Sequence, residues 1–579
     1  MRMVGRGIQE FEKIRDGDLF YVDKTDFIID WYRQRDDITL ITRPRRFGKT
    51  LTMDMLNCFF STSYSGRTDL FKDLLVCQDK EIMALQGTVP TIKISFAGVK
   101  AETFRGFLIS LAGRISILLS RYRFLPESGV LNEDEKEFFA EISRVIPKIP
   151  NPEKDADGYL EFIYKLTHIF HLLSAWLFRY HGKKVYIFLD EYDTPLQTAY
   201  MYHYYDEAIS VLRELFSETF KENEYLDRAV ITGITRIAKE SLFSDLNNLA
   251  VCSVLSGGYD RSFGFTKEEM GDILEEYELT DQKDLVRFWY DGFTIGKETE
   301  IYNPWSVVNY LCDRKSPPQD FWAQSGGMDL IDHLVRKGGI ALKEGFETLL
   351  SGGVIERRIR DDLIFPWLDG DESAVWSMLI AAGYIKPVPG AKSRTKLTIT
   401  LTNHESLACL SNMVTKWFAT RSGNYMEQFA DALLADDLRE MNAAMQEVVL
   451  TCSSTFDSGI KPSAGTVQPE NFFHALTLGM LTCLSEDYRV TSNRESGFGR
   501  YDVSLEPLDA GNDLSAAILE FKVFDKSKGD RNLKDTADRA RRQIDEKAYD
   551  ADLLSRGISP ERIRKYGFGF RGKEVIIVK

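Results

Sequence analysis

Residues 41–50 read ITRPRRFGKT and end in Gly48-Lys49-Thr50. A glycine, a lysine and a hydroxyl in succession suit a polyphosphate. Backbone N–H groups of 46–50 would point at phosphate oxygens, Lys49 would reach the β and γ phosphates, and Thr50 would offer its hydroxyl to Mg2+. The apolar run ITLIT before the loop predicts a buried strand and TLTMDMLNCFF after it predicts a helix, the order such a loop needs. One position departs from GxxxxGK[ST]: Arg43 stands where the first glycine is expected. Taken alone, the loop fits a basic strand-to-helix turn equally well.

A second stretch, KKVYIFLDEYDTPL at 183–196, runs an apolar strand into Asp190-Glu191. An aspartate at a strand end can enter the Mg2+ shell, and the glutamate after it can orient and deprotonate an attacking water. A parallel sheet would carry this acidic pair to the same edge as the loop at 43–50. A third strand, AVITGIT, ends at Thr235 and Arg236, where a cation could sense a γ-phosphate and stabilise transition-state charge. An ordinary strand-end arginine is the competing reading.

A different chemistry stands near the C-terminus. In AAILEFKVF the alternation of a strand puts Ile518, Glu520 and Lys522 on one face and Leu519, Phe521 and Val523 on the other. Upstream, RYDVSLEP is a second alternating strand with Asp502 opposite Tyr501, Val503 and Leu505. An Asp on one strand and Glu-x-Lys on the next is the arrangement of the PD-(D/E)XK nuclease fold. There Asp502 and Glu520 would hold one or two divalent ions, the Phe521 carbonyl would complete the shell, and Lys522 would orient or activate the attacking water. A structural Glu-Lys pair on a strand edge is the plain alternative.

These groups need a scaffold, and the pattern supplies one. From about residue 37, the strands ITLIT, VPTIKISF, KKVYIFLD and RAVITGIT alternate with helical stretches, which predicts a parallel, doubly wound α/β sheet. Between about 265 and 420 the periodicity is mostly helical, with Asn303-Pro304 able to open a helix. SGG at 351–353 and VPGAKSRTK mark turns or a linker. After about 420 the chain becomes a smaller α/β unit, with helices near 425–450 and 470–486, two strands, a basic helix and a final GKEVIIVK strand. The aromatic rings of the middle section, from Phe288 to Trp322, recur at helical spacing and read as core or lid packing rather than base-stacking surfaces.

A chain of 579 residues accommodates roughly three or four domains at ~150 residues each. Its net charge of −15 argues against a uniform coat for nucleic acid, leaving local basic clusters to steer a polyanion: Arg43, Arg45, Arg46 and Lys49, then Arg531, Lys534, Arg539, Arg541 and Arg542. The seven cysteines are dispersed, with no CxxC pair, as in reduced cytosolic proteins. The N-terminus lacks an apolar signal run. The most apolar helix stretch, EFIYKLTHIFHLLSAWLFRYH, carries Lys165, His168 and His171, so a cytoplasmic protein without a membrane partner is expected.

Four motifs together resemble the bacterial AAA-ATPase-like family: YVDKT (21–25), RPRRFGKT (43–50), FLDEYDTPL (188–196) and TGITRIAKESLFSDLNNL (232–249). In that family an arginine before the proline replaces the first glycine, so Arg43 is a family variant. The resemblance implies nucleotide contact at Gly48, Lys49 and Thr50, and the rest of the loop, Arg43, Pro44, Arg45, Arg46 and Phe47, is expected to line the same nucleotide site together with Asp190. The resemblance also implies metal and hydrolysis roles at Asp190 and Glu191, and a sensor role near Arg236. Residues from about 470, including SNRESGFGRYD, resemble the PD-(D/E)XK domain often fused behind this family. That implies a further acidic group at Glu495 and places Gln543 toward the site. The upstream helix glutamate of the superfamily has no clear counterpart, since FFHALTLGM offers His474.

The resulting expectation is an ATPase domain over 1–265, a helical lid or middle domain over 266–420 and a nuclease-like domain over 421–579. ATP and Mg2+, or Mn2+ at the nuclease site, are the expected cofactors, and nucleotide state would gate cleavage of a nucleic acid, DNA in the first instance. A monomer and a homo-oligomer both fit. Two alternatives stay open: a regulatory ATPase whose C-terminal domain binds nucleic acid without cutting, and a nucleotide-dependent scaffold with slow hydrolysis.

Overall fold

ITLIT folds as β1 (Ile38–Thr42), buried along its whole length. A strand covered on both faces needs no polar alternation, which explains its uncharged sequence. In this computed structural model β1 is followed by β2 (Thr91–Ser95), β3 (Val185–Asp190), β4 (Leu226–Gly233) and β5 (Leu249–Cys252). All pair in parallel, in the order β2-β3-β4-β1-β5. Parallel neighbours require crossovers, and the helices Lys49–Phe60, Phe104–Leu119, Ala156–His181 and Tyr205–Phe220 lie on them. The α/β sheet expected from the alternation is present, with β5 as an additional member.

The structure describes residues 2–144, 149–237, 242–243, 246–314, 318–322, 329–337, 340–350, 352–361, 365–389, 396–411, 413, 425–453, 477, 480–481, 484, 487–492, 495–496, 499–509 and 512–579. The chain divides into two compact units: Met1–Ser316 with Asp329–Leu334 and Arg358–Lys386, and Pro317–Met328 with Val335–Arg357 and Pro387–Lys579. The segment 266–420 is thus shared between them. Among the described residues, no helix is long and apolar enough to cross a membrane.

In the first unit, YVDKT is a structural clasp. Asp23 accepts from the Thr25 N–H and hydroxyl and from the Leu75 N–H, while buried Lys24 donates to Glu269 at 2.6 Å and to the Arg261 carbonyl. Glu269 also closes a capping box with Thr266 on the helix Lys267–Glu276. Beyond it come the hairpin β6 (Phe293–Ile295) and β7 (Glu298–Ile301). The helix Pro304–Cys312 then opens with Asn303 as cap and proline in its first turn, as its sequence predicts. Further helices, Asp329–Lys337, Ile340–Leu350 and Glu372–Ala382, make the middle mainly helical, with short strands β8 (Ile355–Arg357), β9 (Ile385–Pro387) and β10 (Leu397–Leu401).

The second unit holds β11 (Tyr488–Ser492), the short pair β12 (Glu495–Ser496) and β13 (Gly499–Arg500), then β14 (Val503–Pro507), β15 (Ala516–Val523), β16 (Ile563–Arg571) and β17 (Glu574–Val578). Its main sheet runs β11-β14-β15-β16-β17. β15 and β16 are parallel, joined across the helix Leu533–Glu546, and the other pairs are antiparallel. Helices Tyr425–Ala435 and Leu438–Ser453 bury Phe429, Met441, Met445 and Val448 in a core with Leu505, Phe521 and Phe568. Asn442 exchanges hydrogen bonds with the Ile577 backbone on β17, and Gln446 accepts from the Val575 N–H, so side-chain amides occupy part of the sheet's edge.

On β16 the sequence YGFGF has a mechanical meaning. Tyr566, Phe568 and Phe570 enter the core, whereas Gly567 and Gly569 face the helix Leu533–Glu546. A Cβ at Gly567 would sit 2.3 Å from the Ala537 carbonyl oxygen and 2.4 Å from the Arg541 nitrogen. Backbone atoms cannot yield as a side-chain tip does. Gly567→Ala should therefore destabilise the protein by about 1–3 kcal/mol through overpacking, read as a fall in Tm of the C-terminal transition.

Candidate functional site

At the end of β1 the chain makes a tight loop before the helix Lys49–Phe60. Arg46 (φ 65°) and Gly48 (φ 81°) adopt left-handed conformations, and a Cβ added at Gly48 would meet nothing within 4 Å. Gly48 therefore supplies both the turn and open space above the helix N-terminus. Lys49 is buried, and its ammonium donates to the carbonyls of Arg43 (2.9 Å) and Pro44 (2.7 Å). Burial pulls that ammonium down to about 8, against the attraction of Glu191, Asp190 and Asp193. The lysine thus sits inside the loop, close enough to three acidic side chains to feel their charge.

Thr50, in the first turn of the helix after β1, and Asp190, at the end of β3, meet across the intervening β4: the Thr50 hydroxyl donates to Asp190 Oδ2 at 2.9 Å. Asp190 also accepts from Thr232 Oγ1 at 2.6 Å and from Ser95 Oγ at 3.3 Å, so the C-terminal ends of β2 and β4 brace it. Burial raises its pKa. Ser95 and Thr232 escaped the sequence reading; a hydroxyl near the C-terminal end of a buried strand beside the acidic one was the available signal. Glu191 follows in a left-handed conformation (φ 53°) and accepts from Thr194, a strained turn of the kind functional sites retain.

The remaining loop residues have other partners. Arg43 is fully buried; its guanidinium donates to the carbonyls of Thr42, Cys252 and Gly258 and stacks on Phe263. Desolvation lowers it to about 10. Its side chain is a strut between β1 and the segment after β5, which is why this loop takes an arginine in place of glycine; a nucleotide contact from Arg43 is left to its backbone. Phe47 packs on Phe293 and Pro44 lies against Gly383, both structural contacts. Arg46 lies over the Trp305 ring at 4.3 Å, and Arg45 reaches Gln197. Arg236 is ion-paired to Asp361 at 2.7 Å. Asp193, unread in the sequence, is buried, and its Oδ2 accepts from the N–H groups of Ile234 and Thr235, the Thr235 hydroxyl and Gln197. It fixes the end of β4 to the turn that carries Glu191.

In the second unit Val503 pairs with Leu519, which carries Asp502 beside Glu520 on the face that receives the helix Leu533–Glu546. Asp502 Oδ2 accepts from the Phe521 N–H at 2.7 Å. Glu520 is 1% exposed; its Oε1 accepts from Lys522 Nζ (2.8 Å) and Gln543 Nε2 (2.6 Å). Gln543 in turn donates to the Tyr549 hydroxyl, and Lys522 to the Phe521 carbonyl. Gln543 thus reaches Glu520 from the helix Leu533–Glu546. Tyr549 is a further member that spacing did not suggest. Glu495 lies on β12, opposite Arg500, with its side chain outside the described residues, as is His474. Much of the basic cluster is internally paired: Arg531 with Asp535, Arg539 with Asp530 and Arg541 with Asp545.

Among the described residues, no group of three or more His, Cys, Asp or Glu side chains is arranged to hold a metal ion. The donor set at 502–521 is two carboxylates and a carbonyl, with water left to complete a shell of hard oxygen ligands. Glu520 Oε2 is buried and makes no hydrogen bond, and a divalent cation would relieve that cost. Burial and the neighbouring Asp502 raise the Glu520 pKa well above the carboxylate range. A ligating carboxylate must be ionised, so Mn2+ or Mg2+ affinity should rise with pH through neutrality, with proton release on binding. Calorimetry in two buffers of different ionisation enthalpy checks this.

Residues 5–243 match the family model described as a predicted AAA-ATPase, and residues 468–579 match that of the PD-(D/E)XK nuclease superfamily. The chain therefore joins an AAA-ATPase-like domain to a domain of the PD-(D/E)XK nuclease superfamily. It is also similar, at 24% identity over 95% of this chain and 93% of the relative, to a protein of Azotobacter chroococcum mcd 1 known only as an uncharacterized protein in the vnfD 5' region.

Proposed function

We propose that this protein is a metal-dependent nuclease, acting on DNA, whose cleavage is governed by ATP bound and hydrolysed at its N-terminal domain. The observation that carries the reading is the cluster at Glu520: a buried carboxylate with one oxygen unpartnered, held by Lys522 and Gln543 beside Asp502. A divalent ion bound there would supply a nucleophilic water and neutralise phosphate charge. Asp502, Glu520 and the Phe521 carbonyl would hold it, Lys522 would orient the water, and Gln543 would fix Glu520.

At the N-terminal site Lys49 and the loop amides would bind the phosphates, Thr50 and Asp190 would hold Mg2+, Glu191 would act as general base and Arg236 would meet the γ-phosphate. The proposed setting is the cytoplasm, with domains at 1–265, 266–420 and 421–579. Incubating supercoiled plasmid, linear duplex, single-stranded DNA and RNA with Mg2+ or Mn2+, with and without ATP, tests the reading. Metal-dependent nicking that responds to ATP is expected; binding without cleavage under every condition would replace it with a regulatory ATPase that only holds nucleic acid.

A further inference from the structure

The segment Arg358–Lys386 belongs to the N-terminal unit, although the chain before it (Val335–Arg357) and after it (from Pro387) belongs to the other. Within the N-terminal unit this returning segment meets the nucleotide site's surroundings in three places. Asp361 Oδ2 accepts from Arg236 at 2.7 Å, and its Oδ1 accepts from the Ser253 hydroxyl at 2.6 Å. Phe365 packs against Tyr200 and Tyr205, beyond the Glu191 turn. Gly383, in a left-handed conformation after the helix Glu372–Ala382, lies so near Pro44 of the phosphate loop that a Cβ there would sit 3.0 Å away.

We propose that Asp361 holds Arg236 when no triphosphate is present, and that the γ-phosphate of ATP takes Arg236 from it. The segment 358–386 would thereby report triphosphate against diphosphate to the chain continuous with it. This rests on reading the phosphate loop as an ATP site. Asp193 pins the backbone of Thr235, leaving the Arg236 side chain as the part free to swing. The Arg236 and Asp361 side chains are each 30% exposed, and a solvent-screened ion pair is weak. A phosphate oxygen engages a guanidinium more strongly, and ADP has no γ-phosphate to do so. The exchange supplies what a switch requires, a ligand that interacts differently with two states.

The test compares binding of a non-hydrolysable ATP analogue and of ADP. Asp361→Asn should tighten the analogue roughly 5-fold or more while leaving ADP unchanged. Arg236→Ala should weaken the analogue alone, and adding Asp361→Asn in that background should then change nothing. Hydrogen exchange in Glu372–Ala382 should differ between analogue and ADP. An unchanged analogue-to-ADP ratio in Asp361→Asn, an equal effect in the Arg236→Ala background, or identical exchange with both nucleotides overturns the proposal. Failure of the wild type to bind either nucleotide, with Lys49→Ala indistinguishable from it, overturns the ATP reading itself.

Discussion

Glu520→Gln is expected to lower metal-dependent cleavage by roughly 10³-fold or more, and Lys522→Ala by a comparable factor, because each removes a group acting on the same metal and water. The glutamine keeps the size of the side chain and its fit beneath Gln543 but removes the charge that would draw a cation. Burial and the neighbouring Asp502 already disfavour the ionised form of this carboxyl, so Glu520→Gln should leave the Tm measured without added metal unchanged or raised. Loss of cleavage with retained stability would separate a catalytic carboxylate from a structural strand-edge pair. Cleavage by Glu520→Gln at the wild-type rate would assign the cluster to packing.

The second large effect concerns nucleotide turnover. Glu191→Gln should retain ATP binding while hydrolysis falls by about 10²–10⁴-fold, the range for loss of a general base. Lys49→Ala should instead lose binding. Its ammonium donates to two loop carbonyls, so entering phosphates would exchange one set of oxygen partners for another. Phosphate release and equilibrium binding, measured on both variants, distinguish the two roles. Normal hydrolysis by Glu191→Gln would move the base elsewhere.

Both sites were legible where local sequence determines local geometry. The run ITLIT and the run into Asp190 announced buried strands, and alternation alone put Glu520 with Lys522 and turned Asp502 away from Val503 and Leu505. Tyr501, expected on the face of Val503 and Leu505, precedes the regular strand and packs instead with Ile518, Ile544 and Tyr549. What escaped depends on contacts far apart in the chain. Arg43 read as an interruption of the phosphate loop because its partners at Cys252 and Gly258 lie more than 200 residues away. β16 went unread because two glycines weaken any strand signal, and their use appears only when a helix backbone lies against them. β5 is four residues long and has little pattern to offer. Asp361 stands in a stretch without motif, and its meaning comes from the arginine that it meets.

The interleaved chain path bears on how such a protein can be taken apart. Arg358–Lys386 belongs to one unit and its flanks to the other, so no single cut yields two whole halves. A truncation ending before Arg358 would strip the Phe365 and Gly383 contacts from the first unit and leave Arg236 without its carboxylate. Shuffling either module onto a new partner would require all five crossings between the units to be respected together, a constraint on inheritance that favours transmitting the pair as one piece.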